Sequence, residues 1–304
     1  LRGGATAIVT LILPAILQRY FSDTMSFSAW ALILQFAADI SLLNFGIETA
    51  VSRFVAHYTA KNESENCNQF CSTAWLVLWI AAGIAVILLG IAVYTLPYLY
   101  ANKIHSAALL TEMQIGLFVI GLVMAINLPI SVCSAIFIGL QRNFIPTAVI
   151  AISRLGMVLL VWLTMLYYPS LLAACLSYAS AMLLAAIAQY IAYRCQQTQV
   201  RLNITQWNRS SAIQLYHYCL SLSIWTLCMM LVNGIDLTIL SQFRFQEVAY
   251  YSVAANLVLF IAGLQHALFS PLMARGAELS AQNEASGIAV AQLLIKSTRY
   301  AGLI

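Results

Sequence analysis

The sequence predicts an all-α membrane protein, a bundle of helices that crosses the bilayer several times. Of its 304 residues, 62% are hydrophobic and only 8% are charged, and the mean hydropathy is +0.87. Soluble domains carry about 25% charged residues, which keep their surfaces in water. The composition therefore excludes a soluble enzyme, a nucleic-acid-binding protein and a disordered chain.

The apolar residues are grouped into long stretches, and a helix needs about 20 such residues to span a bilayer. None of the stretches shows the alternating pattern of a membrane barrel strand, so we interpret them as helices. The chain starts at Leu1 and stops within an apolar run, and we expect at least three further helices beyond Ile304. Eight spans and the start of a ninth are predicted: 4–20, 27–54, 70–96, 110–138, 146–168, 170–193, 213–240, 249–273 and a stump from about 293.

Lysine and arginine residues predict the orientation, because short cytoplasmic loops are enriched in them. With the first helix running outward, ten basic residues fall on the cytoplasmic side and three on the other side. We therefore expect loops 57–69, 139–145, 194–212 and 275–292 to be cytoplasmic. The net charge of +4 then reflects topology and is no sign of nucleic-acid binding. The cytoplasmic set is Arg2, Arg53, Lys61, Arg142, Arg194, Arg201, Arg209, Arg275, Lys296 and Arg299, and the outer set is Arg19, Lys103 and Arg244.

Two stretches of the chain match each other at an offset of about 223 residues, which indicates an internal repeat. Residues 16–20 match 239–243, and residues 27–31 match 250–254. Six helices precede the second copy, so both copies start in the same direction and form parallel repeats. We therefore predict two domains: residues 1–196 as a first lobe of six helices, and 197–304 as the start of a second lobe, with two helices and the stump.

Ionisable residues inside membrane spans are costly and mark functional sites by default. Asp39 and Arg53 lie in the span 27–54. On this predicted helix they share a stripe with Gly46 and Ala50 and lie about 21 Å apart along the axis. Both are candidates for the substrate path. The alternative for Arg53 is an anchor whose side chain reaches the cytoplasmic surface.

Arg154 and Asp236 complete the set of candidate site residues. A helix that begins at Pro146 places Arg154 about 12 Å inside the membrane, although an extended arginine also reaches the surface from there. A guanidinium group suits phosphate oxygens because it donates two parallel hydrogen bonds. Asp236 lies near the outer end of the span 213–240, where a helix end in headgroup water is the alternative.

No pattern in the sequence indicates a cofactor, a metal or covalent catalysis. The seven cysteines and four histidines lack the spacing of metal ligands, and no nucleophile elbow, HExxH motif or Walker loop is present. We therefore expect no catalytic residues, no cofactor and no bound metal.

Several segments of the chain resemble the polysaccharide flippases of the MOP superfamily, of the O-antigen flippase type. The resemblance is carried by residues 1–4 leading to 14–17, by Trp30-Ala31-Leu32, and by 44–53 with the Ala-Lys-Asn-Glu loop that follows. In the second half it is carried by 248–254, 270–274 and 297–300.

That resemblance implies a MATE-like fold with two pseudo-symmetric six-helix lobes around a cationic cavity, here with the second lobe incomplete. The implied activity is the flipping of a polyprenyl-diphosphate-linked oligosaccharide across the bacterial inner membrane for surface polysaccharide or O-antigen synthesis, by alternating access. The implied partners are this lipid-linked substrate, membrane lipids, a polysaccharide polymerase and chain-length regulator proteins.

Two other functions are compatible with parts of the sequence. A drug or metabolite exporter of the same superfamily would favour acidic residues in its cavity. A membrane enzyme, such as a glycan ligase or polymerase, would need a large outer loop to carry its catalytic groups, and the predicted outer loops are short.

Overall fold

A computed structural model describes residues 2–261, apart from 22, 105, 143, 197–199, 204–205, 234 and 259. The regular structure in these ranges is entirely helical, as the sequence predicts. The helices are α1 (Arg2–Tyr20), α2 (Thr24–Ser41), α3 (Ile47–Ala60), α4 (Ser64–Tyr100), α5 (Ala107–Gly139), α6 (Phe144–Tyr167), α7 (Leu171–Cys195), α8 (Arg209–Asn233), α9 (Ile235–Phe243) and α10 (248–258).

Five segments in the described part of the chain are long and apolar enough to cross a membrane: Thr24–Ala60, Ser64–Tyr100, Ala107–Gly139, Phe144–Tyr167 and Leu171–Cys195. They correspond to the second to sixth spans predicted from the sequence. The protein is a polytopic helical membrane bundle, since helices are the only open-ended structure that satisfies its own backbone in lipid.

The prediction of one continuous helix over 27–54 is wrong. Helix α2 ends at Ser41, a short 3₁₀ turn follows, and Phe45 and Gly46 have left-handed φ angles of 47° and 73°. Glycine adopts this backbone without a steric cost, and the Asn44 side chain accepts a hydrogen bond from the Glu48 N–H at 3.3 Å to start α3. The stripe expected from Asp39 to Arg53 therefore does not exist.

The bounds of two predicted loops also need correction. Helices α8 and α9 occupy the predicted span 213–240. Only residues 61–63 connect α3 to α4, and 196–208 connect α7 to α8. The loop predicted at 275–292 lies outside the described residues.

Helix α5 is the centre of the first six spans and packs against α2, α3, α4 and α7. Its glycines permit these close approaches. A Cβ atom on Gly139 would lie 2.6 Å from the Ser52 carbonyl oxygen of α3, and one on Gly116 would lie 2.6 Å from Cys175 Sγ of α7. Small residues at helix contacts are the usual way that membrane helices pack tightly.

The connections lie at two opposite ends of the bundle. The α4–α5 end carries the turns α1–α2, α4–α5, α6–α7 and α9–α10. The α3–α4 end carries the turns α3–α4, α5–α6 and α7–α8. Lys103 at the first end donates to Gln242 Oε1 at 2.6 Å, and at the second end Tyr58 donates to Gln214 Oε1 at 3.1 Å. The second half of the chain is thus joined to the first half at both ends.

Candidate functional site

A cavity of about 490 Å³ lies between the two halves of the chain. Helices α1, α2, α6 and α7 supply one side, and α9 and α10 supply the other. Its volume is within the range of ordinary ligand pockets, roughly 300–1,000 Å³. Most of the wall is apolar, and its polar or charged side chains are Gln35, Arg154, Tyr178, Asp236, Tyr251, Ser252 and Asn256.

Arg154 brings a positive charge to this cavity from the middle of α6. The residue is half-buried. The ion pair found among the described residues, between Arg244 and Glu247, does not involve it, and no hydrogen bond of its guanidinium group is seen there. A half-buried guanidinium group that faces a cavity without a protein acceptor favours an anionic ligand.

Asp236 brings a negative charge to the same cavity from the first turn of α9. Its Oδ2 accepts a hydrogen bond of 2.9 Å from the Tyr251 hydroxyl group of α10. This hydrogen bond holds the carboxylate in place between α9 and α10.

Asp39 does not line the main cavity, although one side chain connects it to that wall. It lies in an apolar pocket of about 230 Å³ beside the helix break, with Phe45 and Leu89 among its neighbours. Its Oδ1 accepts a hydrogen bond of 3.2 Å from Gln35 Nε2, and Gln35 lines the cavity. The break after Ser41 separates Asp39 from α3, which explains why the expected polar stripe is absent.

Arg53 is also away from the cavity. It is exposed at the α3–α4 end, with its guanidinium carbon 5.2 Å from the ring centre of Tyr218 in α8. The structure therefore brings together two of the four candidate residues, Arg154 and Asp236, and leaves Asp39 and Arg53 elsewhere.

Two aromatic residues in the wall were not selected from the sequence. Trp30 of α2 and Tyr178 of α7 form an edge-to-face pair with ring centres 5.5 Å apart. Aromatic residues in apolar spans give no signal, because packing explains them equally well. The polar wall residues Gln35, Tyr251 and Asn256 lie in predicted spans. They could not be selected from the sequence, because it does not show which polar residues lie close to Arg154.

The cavity can bind a ligand that is partly anionic and partly neutral. Its described wall carries one positive and one negative charge, so it is less cationic than the sequence led us to expect. Hydroxyl and amide groups suit the hydroxyl groups of a sugar, and the apolar wall suits a lipid or a ring face. In the part of the chain that the structure describes, no three His, Cys, Asp or Glu residues group as metal ligands.

The fold, with a cavity between the two halves of the chain, is that of solved transporters of the MOP superfamily. A multidrug resistance MATE family transporter of the MOP superfamily in an inward-facing conformation aligns with a TM-score of 0.71 and 14% identity over 95% of this chain and 66% of that one. A MOP superfamily transporter from Pyrococcus furiosus, described as having a binding pocket of reverse polarity, aligns with a TM-score of 0.56 and 14% identity over 95% of this chain and 76% of that one. A multidrug resistance MATE family transporter in an outward-facing conformation aligns with a TM-score of 0.55 and 13% identity over 96% of this chain and 77% of that one.

The chain belongs to the polysaccharide biosynthesis protein family, whose match covers residues 1–276. No curated protein matches the chain significantly. The chain spans slightly less than two thirds of the inward-facing transporter, 66%. The family match and the shared fold thus place the chain in the polysaccharide biosynthesis protein family, with the helical fold of the solved transporters.

Proposed function

We propose that this protein moves a polyprenyl-diphosphate-linked oligosaccharide across the bacterial inner membrane. The glycan head is too polar to cross hydrocarbon unaided, so a cavity must shelter it while the lipid tail stays in the bilayer. The observation that carries the proposal is the position of Arg154, half-buried in the cavity without a protein partner among the described residues. The family to which the chain belongs supports the glycan part of the substrate.

In this proposal each part of the wall contacts one part of the substrate. Arg154 binds the diphosphate through its planar pair of N–H donors. Gln35, Asn256 and Tyr251 face the hydroxyl groups of the first sugars, and the Trp30–Tyr178 pair supplies an apolar side for a sugar ring. The two halves of the chain rock about the cavity, so that it opens to each side of the membrane in turn. The cytoplasmic side is the α3–α4 end, where most basic residues lie.

The test replaces the charge at residue 154 in cells that depend on this protein for surface glycan. Arg154→Gln should abolish glycan display while the protein accumulates in the membrane, and Arg154→Lys should restore part of it. The matched control is Arg142→Gln, an exposed arginine in the α5–α6 connection, which should display glycan normally. Normal display with Arg154→Gln would refute the assignment.

An exporter of cationic compounds is the second candidate, and Asp236 in the cavity wall favours it. The two functions are separated by substrate. A flippase translocates a radiolabelled lipid-linked oligosaccharide and loses this activity with Arg154→Gln. An exporter expels a cationic dye and loses efflux with Asp236→Asn.

A further inference from the structure

A second cavity lies at the α3–α4 end, remote from Arg154. It has a volume of about 410 Å³ and is formed by α4, the end of α7 and the connection that leads to α8. Its wall combines aromatic side chains with two guanidinium groups. The residues that matter here are Trp75, Tyr190, Tyr193, Arg194 and Arg201.

Hydrogen bonds to α4 and α7 hold the α7–α8 connection in position. The Arg201 N–H donates to Asn68 Oδ1 at 2.8 Å, and the Asn203 N–H donates to Ser72 Oγ at 3.0 Å. Tyr193, at the end of α7, donates its hydroxyl hydrogen to the Val200 carbonyl oxygen at 2.9 Å. The backbone around Arg201 is thereby fixed beside the end of α7, and its side chain lines the same cavity as that of Arg194.

Arg194 and Arg201 are both exposed and lack an acidic partner among the described residues. Among the described residues, neither Arg194 nor Arg201 has a carboxylate oxygen within 4 Å, the limit for an ion pair. The C-terminal end of α7 accounts for a basic residue at 194, because the helix dipole is negative there. Arg201 lies beyond the helix, at the end of the bundle expected to be cytoplasmic, where basic residues are enriched. A shared anion would neutralise both groups.

The aromatic walls of the cavity indicate what kind of anion this is. Tyr190 is exposed and Trp75 is half-buried, on helices that span the membrane. Tryptophan and tyrosine concentrate at the level of lipid headgroups, and arginine binds phosphate oxygens in pairs. We propose that this cavity binds the phosphate headgroup of an anionic membrane phospholipid, with Arg194 and Arg201 on the phosphate and Trp75 and Tyr190 beside the upper acyl chain.

The test measures lipid binding directly and does not depend on the transport proposal. The purified chain in phosphatidylcholine–detergent micelles is titrated with phosphatidylglycerol, and retained lipid is counted by native mass spectrometry. The wild-type chain should retain phosphatidylglycerol in preference to phosphatidylcholine. The double variant Arg194→Gln/Arg201→Gln should weaken this binding about tenfold or more, because two charge-assisted contacts are lost.

Arg142→Gln is the matched control, since it removes one exposed arginine at the same end of the bundle. It should bind phosphatidylglycerol like the wild type. If the double variant folds poorly, each single variant is measured instead and should bind more weakly than Arg142→Gln. Unchanged binding in these variants would overturn the proposal. An equal loss of binding with Arg142→Gln would also overturn it, because it would indicate general charge attraction. Complete displacement of the lipid by inorganic phosphate at an equal concentration would overturn it as well, because it would indicate a site for free phosphate.

Discussion

Gly139 lies at a close contact between α5 and α3, and replacing it with alanine tests the packing of the bundle. A Cβ atom built on Gly139 would lie 2.6 Å from the Ser52 carbonyl oxygen and 2.7 Å from Val55 Cβ. Ordinary contact begins at 3.4 Å, so the backbone of α3 must move by 3.4 − 2.6 = 0.8 Å. A flexible side chain could rotate away, but a backbone carbonyl group cannot.

Overpacking of this kind costs about 1–3 kcal/mol of folding free energy. The intrinsic preference of a helix for alanine over glycine, up to about 1 kcal/mol, offsets part of that cost. Gly90→Ala is the matched control, because a Cβ atom there meets nothing within 4 Å. We expect Gly139→Ala to be destabilised, and Gly90→Ala to be as stable as the wild type or slightly more stable.

The measurement is the free energy of unfolding in detergent micelles, from denaturant titration followed by tryptophan fluorescence. A parallel measurement on Gly116→Ala separates the two kinds of contact. Its added methyl group meets the Cys175 side chain, which can turn, so its destabilisation should be smaller than that of Gly139→Ala. If Gly139→Ala and Gly90→Ala unfold at the same free energy, α3 and α5 are not in the contact described here.

Two further predictions concern the junction between the halves and the orientation of the chain. The buried Ser28 hydroxyl oxygen accepts a hydrogen bond of 3.1 Å from the Ala249 N–H in the first turn of α10. Ser28→Ala should therefore reduce the free energy of unfolding by about 1–3 kcal/mol, because it leaves that donor unsatisfied. Thermal unfolding in micelles measures this loss, and an unchanged midpoint would contradict the prediction. In a background without the native exposed cysteines, Asn102→Cys should react with a membrane-impermeant maleimide added outside intact cells and Asn203→Cys should not; the reverse result would invert the proposed orientation.

The helical class and the approximate positions of the second to sixth spans could be predicted from the sequence, because long apolar stretches permit little else in a bilayer. The break between α2 and α3 could not be predicted by that reasoning, since hydropathy stays high across it. A local signal was present in Asn44 and Gly46: a side chain that can cap a helix, followed two residues later by a residue that adopts positive φ. The division into two lobes stays a prediction.

The location of the site was only partly predictable. Arg154 and Asp236 were selected because a charge in an apolar span is unusual, and the structure brings both to one cavity. Asp39 was selected by the same reasoning and lies elsewhere. A charged residue in a span indicates an energetic cost of burial, but it does not show which face of the helix is turned towards the cavity. The neutral wall residues Gln35 and Tyr178 depend on how α2 and α7 are rotated, which packing determines.

The contacts at the two ends of the bundle are suited to the rocking motion proposed above. At the α4–α5 end, the Tyr100 and Ser241 hydroxyl groups are 2.7 Å apart, and at the α3–α4 end Asn208 Nδ2 donates to Gln69 Oε1 at 2.7 Å. Each is a neutral hydrogen bond, worth about 0.5–1.5 kcal/mol net. In the proposed motion, opening an end breaks bonds of this kind, and a difference of a few kcal/mol between two conformations leaves the minor one populated. Apolar contacts oppose opening, because burial stabilises by about 25 cal/mol for each Å², and at the first end the Tyr100 and Phe245 rings pack with their centres 5.6 Å apart. The balance of polar and apolar contacts at each end therefore sets how readily the proposed rocking motion opens the cavity.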